Sequence, residues 1–201
     1  MIESIEVKIY RKIKRAKKNE LFYTEMFLKF GNSKAISKAL ERLVQQGKVC
    51  RVATGFYALP NTHDDFGVIS PGIEEIALAI AKRDKARTIP TGSYALYMLG
   101  LTTQVPMNVV YYTDTSARFV KIGKRTIKFK KASSRNLAFK GRISMMAVQA
   151  LRSLGKGNAT EKEVAHIKMI LKNENPDHLK HDLLLAPVWI RELLTPKKEK
   201  G

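Results

Sequence analysis

Between Leu21 and Leu59 the turn-forming residues are spaced so that few folds remain open. The stretch reads LFYTEMFLKFGNSKAISKALERLVQQGKVCRVATGFYAL. Thr24 is placed to cap a short helix, and Gly31 to end it with a left-handed residue. From Ser33 the apolar residues Ile36, Leu40, Leu43 and Val44 recur at helical spacing, which predicts one buried stripe. Lys34, Ser37, Lys38, Glu41 and Gln45 fall on the opposite face. Gly47 stops this second helix. Val49–Ala53 and Phe56–Leu59 then alternate around Thr54-Gly55, as the arms of a tight hairpin do. Short helix, turn, longer helix and basic hairpin in that order predict a winged helix-turn-helix. In that motif the second helix enters the DNA major groove while other elements hold phosphates. Helix pairs with a hairpin also serve as protein-binding modules, and charge decides between the two readings.

Residues 1–60 hold 13 Lys or Arg against 5 Asp or Glu. The excess falls on the first helix, the second helix of the pair and the hairpin, a footprint suited to nucleic acid. Over all 201 residues the formal net charge is +19, which argues for a polyanionic partner. A membrane surface is the weaker reading, since no lipidation motif and no strongly amphipathic basic terminus supports it, and no run approaches the ~20 apolar residues of a membrane span. With no signal-peptide core and one cysteine, Cys50, unable to form an intrachain disulfide, a soluble protein of the reducing cytoplasm is expected.

The first helix is expected over Ile2–Ala16, with Ile2, Ile5, Ile9 and Ile13 on one face. Its basic end, Lys12, Lys14, Arg15, Lys17 and Lys18, suits both the helix C-terminus and a phosphate clamp. The segment after Pro60 is turn-rich, and residues 61–69 read as a linker. The division is therefore a winged helix over 1–60, the linker, and a second domain over 70–201. His63, Asp64 and Asp65 read as a polar loop in preference to metal ligands.

Ser70-Pro71 marks a helix start, with Ile73, Ile76, Ala77 and Ile80 as its buried stripe. Pro90-Thr91-Gly92 reads as a turn before a short helix at 93–99. Three strands are predicted at Met107–Thr113, Arg118–Ile122 and Thr126–Lys131, joined as a small antiparallel meander. The rest is helical: Arg142–Leu154, a helix opened by the capping box of Thr160 and Glu163, and one opened by Asn175-Pro176 and broken at Pro187. The fold class is thus α+β, a winged helix-turn-helix followed by a mixed domain with a small antiparallel sheet and several helices.

A second basic patch is carried by Lys121, Lys124, Arg125, Lys128, Lys130, Lys131 and Arg135. From Thr115 to Thr160 there are 12 Lys or Arg and no acidic residue. Ile127 and Phe129 alternate with Thr126, Lys128 and Lys130, which predicts one apolar and one basic sheet face. Edge-strand lysines guard against aggregation, but a stretch of this length without counter-charge points to DNA, RNA or an acidic protein.

No catalytic constellation emerges, and neither a cofactor nor an enzymatic role is expected. His178 and His181 with Asp182 share a helix face, but two such ligands without a third and fourth do not make a zinc site. A solvated face is the expectation there. The glycines at 155–157 lack P-loop spacing, and no paired carboxylates stand in an apolar setting.

Two stretches carry a resemblance. GKVCRVATGFYALP in the first half and TIPTGSYALYMLGLTTQVPMNVVYYTDTSARFVKIGKRTIKFKKAS in the second resemble the AbiEi family of bacterial antitoxins, in its short branch. The resemblance implies the antitoxin of a type IV toxin–antitoxin pair, whose toxin is a nucleotidyltransferase-like protein. It implies a winged helix that represses the pair's own promoter, commonly at inverted repeats in double-stranded DNA, and a C-terminal domain that counters the toxin without a stable complex. The recognition helix at 33–46 and the wing at 48–57 carry over. The residues expected at DNA are Tyr23, Asn32, Ser33, Lys34, Ser37, Lys38, Arg42, Arg51 and Thr54. A plain winged-helix regulator with a ligand-sensing or dimerising domain, and an RNA binder acting on tRNA or another RNA, stand as alternatives.

Overall fold

The computed structural model describes residues 3–17, 20–63, 67–68 and 70–195. Ile2, Lys18, Asp64, Asp65 and the tail from Pro196 lie outside the described residues. The chain forms two compact units, Met1–Lys85 with Val120–Gly123, and Ala86–Phe119 with Lys124–Gly201. The parting falls after Lys85 and not at 61–69.

In the first unit α1 (Ile5–Lys14) starts where the Ser4 hydroxyl accepts the Val7 N–H, at 3.3 Å. Ile9 and Ile13 of α1 are completely buried. Strand β1 (Phe22–Tyr23) leads into a 3-10 helix (Thr24–Phe30), then α2 (Ser33–Gln45), β2 (Cys50–Ala53) and β3 (Phe56–Ala58). The sheet order is β1-β3-β2, with Phe22 opposite Tyr57 and Arg51 also opposite Tyr57 from the other side. Three helical segments closed by a hairpin that β1 ties down make a winged helix-turn-helix. Ile36, Leu40 and Leu43 of α2 join Ile9, Ile13, Phe22 and Phe27 in its core. Each such burial is worth roughly 1.5–3 kcal/mol.

Two local expectations fail here. Thr24 does not cap the short helix: Tyr23 holds the cap position in an extended conformation, without a side-chain capping bond. The helix emerges directly from the β1 ladder, and the aromatic residue that belongs to the sheet takes the position. Gly31 is extended, at φ 166° and ψ −176°, not left-handed. Its missing side chain matters for space, since a Cβ there would lie 2.7 Å from Ile5 Cδ1. Gly55, at φ 78°, does supply the left-handed residue of the wing turn.

The segment read as a linker pairs Thr62 with Val68 and His63 with Gly67, so β4 (Thr62–His63) and β5 (Gly67–Val68) form a short hairpin. Helix α3 (Ile73–Asp84) is capped by Gly72, not by Ser70. The Glu75 carboxylate accepts the Gly72 N–H at 2.7 Å, and a residue before proline, as Ser70 is, is disfavoured in the helical region. Ile73, Ile76, Ala77 and Ile80 are buried as expected.

The second unit opens with a strand where a turn was expected, β6 (Thr88–Thr91). Pro90 is tolerated because β6 is an edge strand and a missing N–H costs little there. After α4 (Ser93–Met98) come β7 (Asn108–Thr113), β8 (Arg118–Ile122) and β9 (Arg125–Lys131), in sheet order β6-β7-β9-β8. The expected meander is therefore wrong: β9 inserts between β7 and β8 and runs parallel to β7, with Val110 opposite Lys128 and Tyr112 opposite Lys130. Burial explains the exchange. Ile127 and Phe129 of β9 are buried, as a central strand requires, whereas Phe119 of β8 is 68% exposed. Helix α5 (Arg142–Leu154) is buried almost all round, and α6 (Glu161–Leu171), α7 (Pro176–Leu185) and α8 (Val188–Leu194) complete its core through Ile167, Leu171 and Ile190. Thr160 and Glu163 form the predicted capping box, and Asn175 caps α7 with Pro176 in the first turn.

Candidate nucleic-acid surfaces

The burial of one stripe of α2 leaves the other outside. Ser33, Lys34, Lys38 and Arg42 are exposed and Ser37 is half-buried. Asn32 caps α2, its Oδ1 accepting the Ala35 N–H at 2.9 Å. Arg51 lies exposed on β2 and Thr54 exposed at the wing turn. Tyr23 is placed differently: its ring packs 5.9 Å from that of Phe56. It lines a concavity with Met26, Glu75, Leu78 and Lys82. The guanidinium of Arg83 stacks on the Phe56 ring at 4.6 Å, which braces the wing from α3.

A cleft of about 440 Å³ between α1 and the 3-10 helix is lined by Lys8, Arg11, Lys12, Arg15, Lys29 and Phe30, with Glu3. Arg11 pairs with Glu3. The Lys12 ammonium donates to the Met26 carbonyl at 2.7 Å and sits 5.0 Å from the Phe27 ring centre. Burial lowers its pKa, and Lys29 lowers it further. Lys12 thus ties α1 to the 3-10 helix, while Lys14, Arg15 and Lys17 are exposed.

The second patch is spread over the strands of the second sheet and its flank. Lys121 is exposed on β8, Lys124 in the turn, and Lys130 and Lys131 on β9, with Arg125 and Lys128 half-buried. Arg135 lies in a 3-10 turn at Ser134–Leu137. Nearby, Arg152 of α5 donates to Asn136 Oδ1 at 3.3 Å. Burial lowers the Arg152 pKa, Tyr112 opposes the shift, and Arg135 adds to it.

A family described as of unknown function, DUF6088, matches residues 8–179. The chain belongs to the DUF6088 family. It is also similar to the RV2827C protein from Mycobacterium tuberculosis, at 11% identity and a TM-score of 0.46 over 96% of this chain and 82% of that one. No curated protein matches it.

The feature of this DUF6088 chain that its sequence hid lies around Asp182. This side chain is completely buried, not part of a solvated face. Its carboxylate accepts the N–H groups of Lys140 and Gly141 at 2.9 and 2.8 Å, the Ser144 hydroxyl at 2.5 Å and His181 Nδ1–H at 2.8 Å. Glu174 Oε2 accepts two further N–H groups, Ile143 at 2.7 Å and Ser144 at 3.1 Å. Two carboxylates from the α6–α7 region thus satisfy the free donors at the start of α5 and complement its dipole. Burial opposes ionisation of Asp182, but the hydrogen bonds outweigh it and hold the carboxyl below its usual pKa. Serine and histidine both bond the carboxylate and not each other, so the trio anchors a helix and does not activate a nucleophile. Among the described residues no group of three or more His, Cys, Asp or Glu could hold a metal ion, and no helix is long and apolar enough to cross a membrane.

Proposed function

We propose that this chain is a cytoplasmic DNA-binding antitoxin of a type IV toxin–antitoxin pair that represses its own operon through the winged helix. The carrying observation is the outer face of α2. Ser33, Lys34, Lys38 and Arg42 stand exposed there while the opposite stripe is locked in the core, with Arg51 and Thr54 on the wing of the same unit. Side chains on the N-terminal half of such a helix read base edges, and flanking cations hold phosphates. The antitoxin role rests on the AbiEi resemblance. A gel shift on the upstream DNA at two salt concentrations, beside scrambled DNA, tests the first part. Lys34→Ala/Lys38→Ala should lose the preference for the promoter, and equal binding of both DNAs by wild type refutes the repressor reading. Co-expression with the neighbouring nucleotidyltransferase-like protein tests the second: growth must be restored without a stable complex.

One observation favours a ligand-sensing second unit instead. A groove of about 480 Å³ is lined by Ala159, Trp189 and Leu193 with Lys156, Lys168 and Glu192 at its rim. Release of promoter DNA by a cell metabolite extract, with Trp189 fluorescence responding to the same extract, would establish that reading.

A further inference from the structure

We propose that the Phe119 side of the second unit's sheet binds single-stranded nucleic acid by stacking an unpaired base on Phe119, beside Lys128 and Lys130. The face follows from strand alternation. Ile127 and Phe129 of β9 point inward and are buried, so Lys128 and Lys130 point to the other side. The parallel register sets Tyr112 of β7 beside Lys130, and Tyr112 is half-buried where its neighbour Tyr111 is buried. On the other flank the Lys128 ammonium lies 4.8 Å from the Phe119 ring centre, which puts Phe119 on the same face. Arg118 stacks on Phe129 at 5.3 Å and belongs to the opposite one. One face therefore runs aromatic, lysine, aromatic across three strands, packed at its Tyr112 end, where Ile89 of β6 is buried opposite Tyr112, and free at Phe119. Its two rings stand on strands roughly 10 Å apart.

The chemistry selects the ligand. A sheet edge protected against aggregation turns charge outward, whereas β8 turns out a phenyl ring that is 68% exposed. Arg135 and Arg152 crowd the Tyr112 side, and Thr115–Thr160 contains no carboxylate. A stretch this rich in cations favours phosphates. An exposed ring among them favours a base whose face is free, which a duplex does not offer. This site stands apart from the winged-helix reading and survives that reading's failure.

The test is fluorescence anisotropy of the full chain with labelled eight-nucleotide oligo(U) and oligo(dT), competed by a duplex of promoter sequence. Wild type should bind at least one of the single strands saturably. Phe119→Ala should weaken binding roughly 10-fold to 100-fold, and Phe119→Trp should restore it. Lys128→Ala/Lys130→Ala should lower the log–log salt slope by about 1.4, and Lys34→Ala/Lys38→Ala should leave single-strand binding unchanged. Since Phe119 is exposed, thermal melting of its variants should match wild type. The proposal is overturned by absence of saturable binding to both oligonucleotides, by Phe119→Ala binding as wild type does, or by loss of single-strand binding in the α2 variant.

Discussion

Removing the Asp182 carboxylate should unfold the second unit at markedly lower denaturant. In Asp182→Ala the Lys140 and Gly141 N–H groups lose their acceptor. Ser144 can fall back on the Gly141 carbonyl, 3.3 Å away, and His181, 34% exposed, can rehydrate. The cost therefore falls mainly on two backbone donors, one of them deeply buried, at about 1–3 kcal/mol each, and on the volume lost. A total near 3–5 kcal/mol is expected, a large part of the stability of an ordinary domain. Asp182→Asn keeps one acceptor and sets an NH2 against the remaining donors, so it should cost less, about 2 kcal/mol. Urea unfolding followed by the single tryptophan, Trp189, reads the unit directly. Linkage gives the sign with pH. The folded carboxyl titrates below its usual 3.8, so its stabilisation is complete above that value and is lost as pH falls through the lower folded value. The gap between wild type and Asp182→Asn should close below about pH 4. An unchanged midpoint in Asp182→Ala, or a gap that widens in acid, would refute the reasoning.

Other outcomes follow from the same structure. Gly141→Ala should destabilise the second unit by about 1–3 kcal/mol in the urea assay, because its Cβ would lie 2.5 Å from Glu174 Oε2 and 2.6 Å from its Cδ. Leu40→Ala should cost the winged helix about 2–5 kcal/mol, seen as early loss of helical circular dichroism in urea. Burial raises the Cys50 thiol pKa, and its hydrogen bonds only partly offset this. At pH 8 iodoacetamide should therefore alkylate it more slowly than it does a free cysteine peptide, by mass spectrometry, and an equal rate would contradict the burial.

Elements whose signal is local were legible in the sequence. The stripe of Ile36, Leu40 and Leu43, the wing turn at Gly55 and the capping box of Thr160 and Glu163 depend on residues within a few positions of one another. Failures came where a distant partner decided. Its place in the sequence makes Gly31 a turn residue, whereas what requires it is Ile5 of another helix. Pro90 before Thr91-Gly92 predicts a turn, whereas an edge of the sheet takes it without a lost bond. Helical spacing predicts a solvated Asp182, whereas its partners lie at Lys140, Gly141 and Ser144, about forty residues upstream. An acidic residue in the last turns of a helix, against the helix dipole, was the available sign that something else neutralised it.

The strand order β6-β7-β9-β8 has the largest functional consequence. In a meander β8 would lie between β7 and β9, and the lysines of β9 would edge the sheet, where protection against aggregation explains them. With β9 inside, Lys128 and Lys130 stand in the middle of the face, flanked by Tyr112 on one strand and Phe119 on the other. The pairing that buries Ile127 and Phe129 is therefore also the pairing that assembles the aromatic and cationic face. Alternation alone could divide β9 into two faces, but the neighbours of its lysines depended on which strand buried more apolar surface.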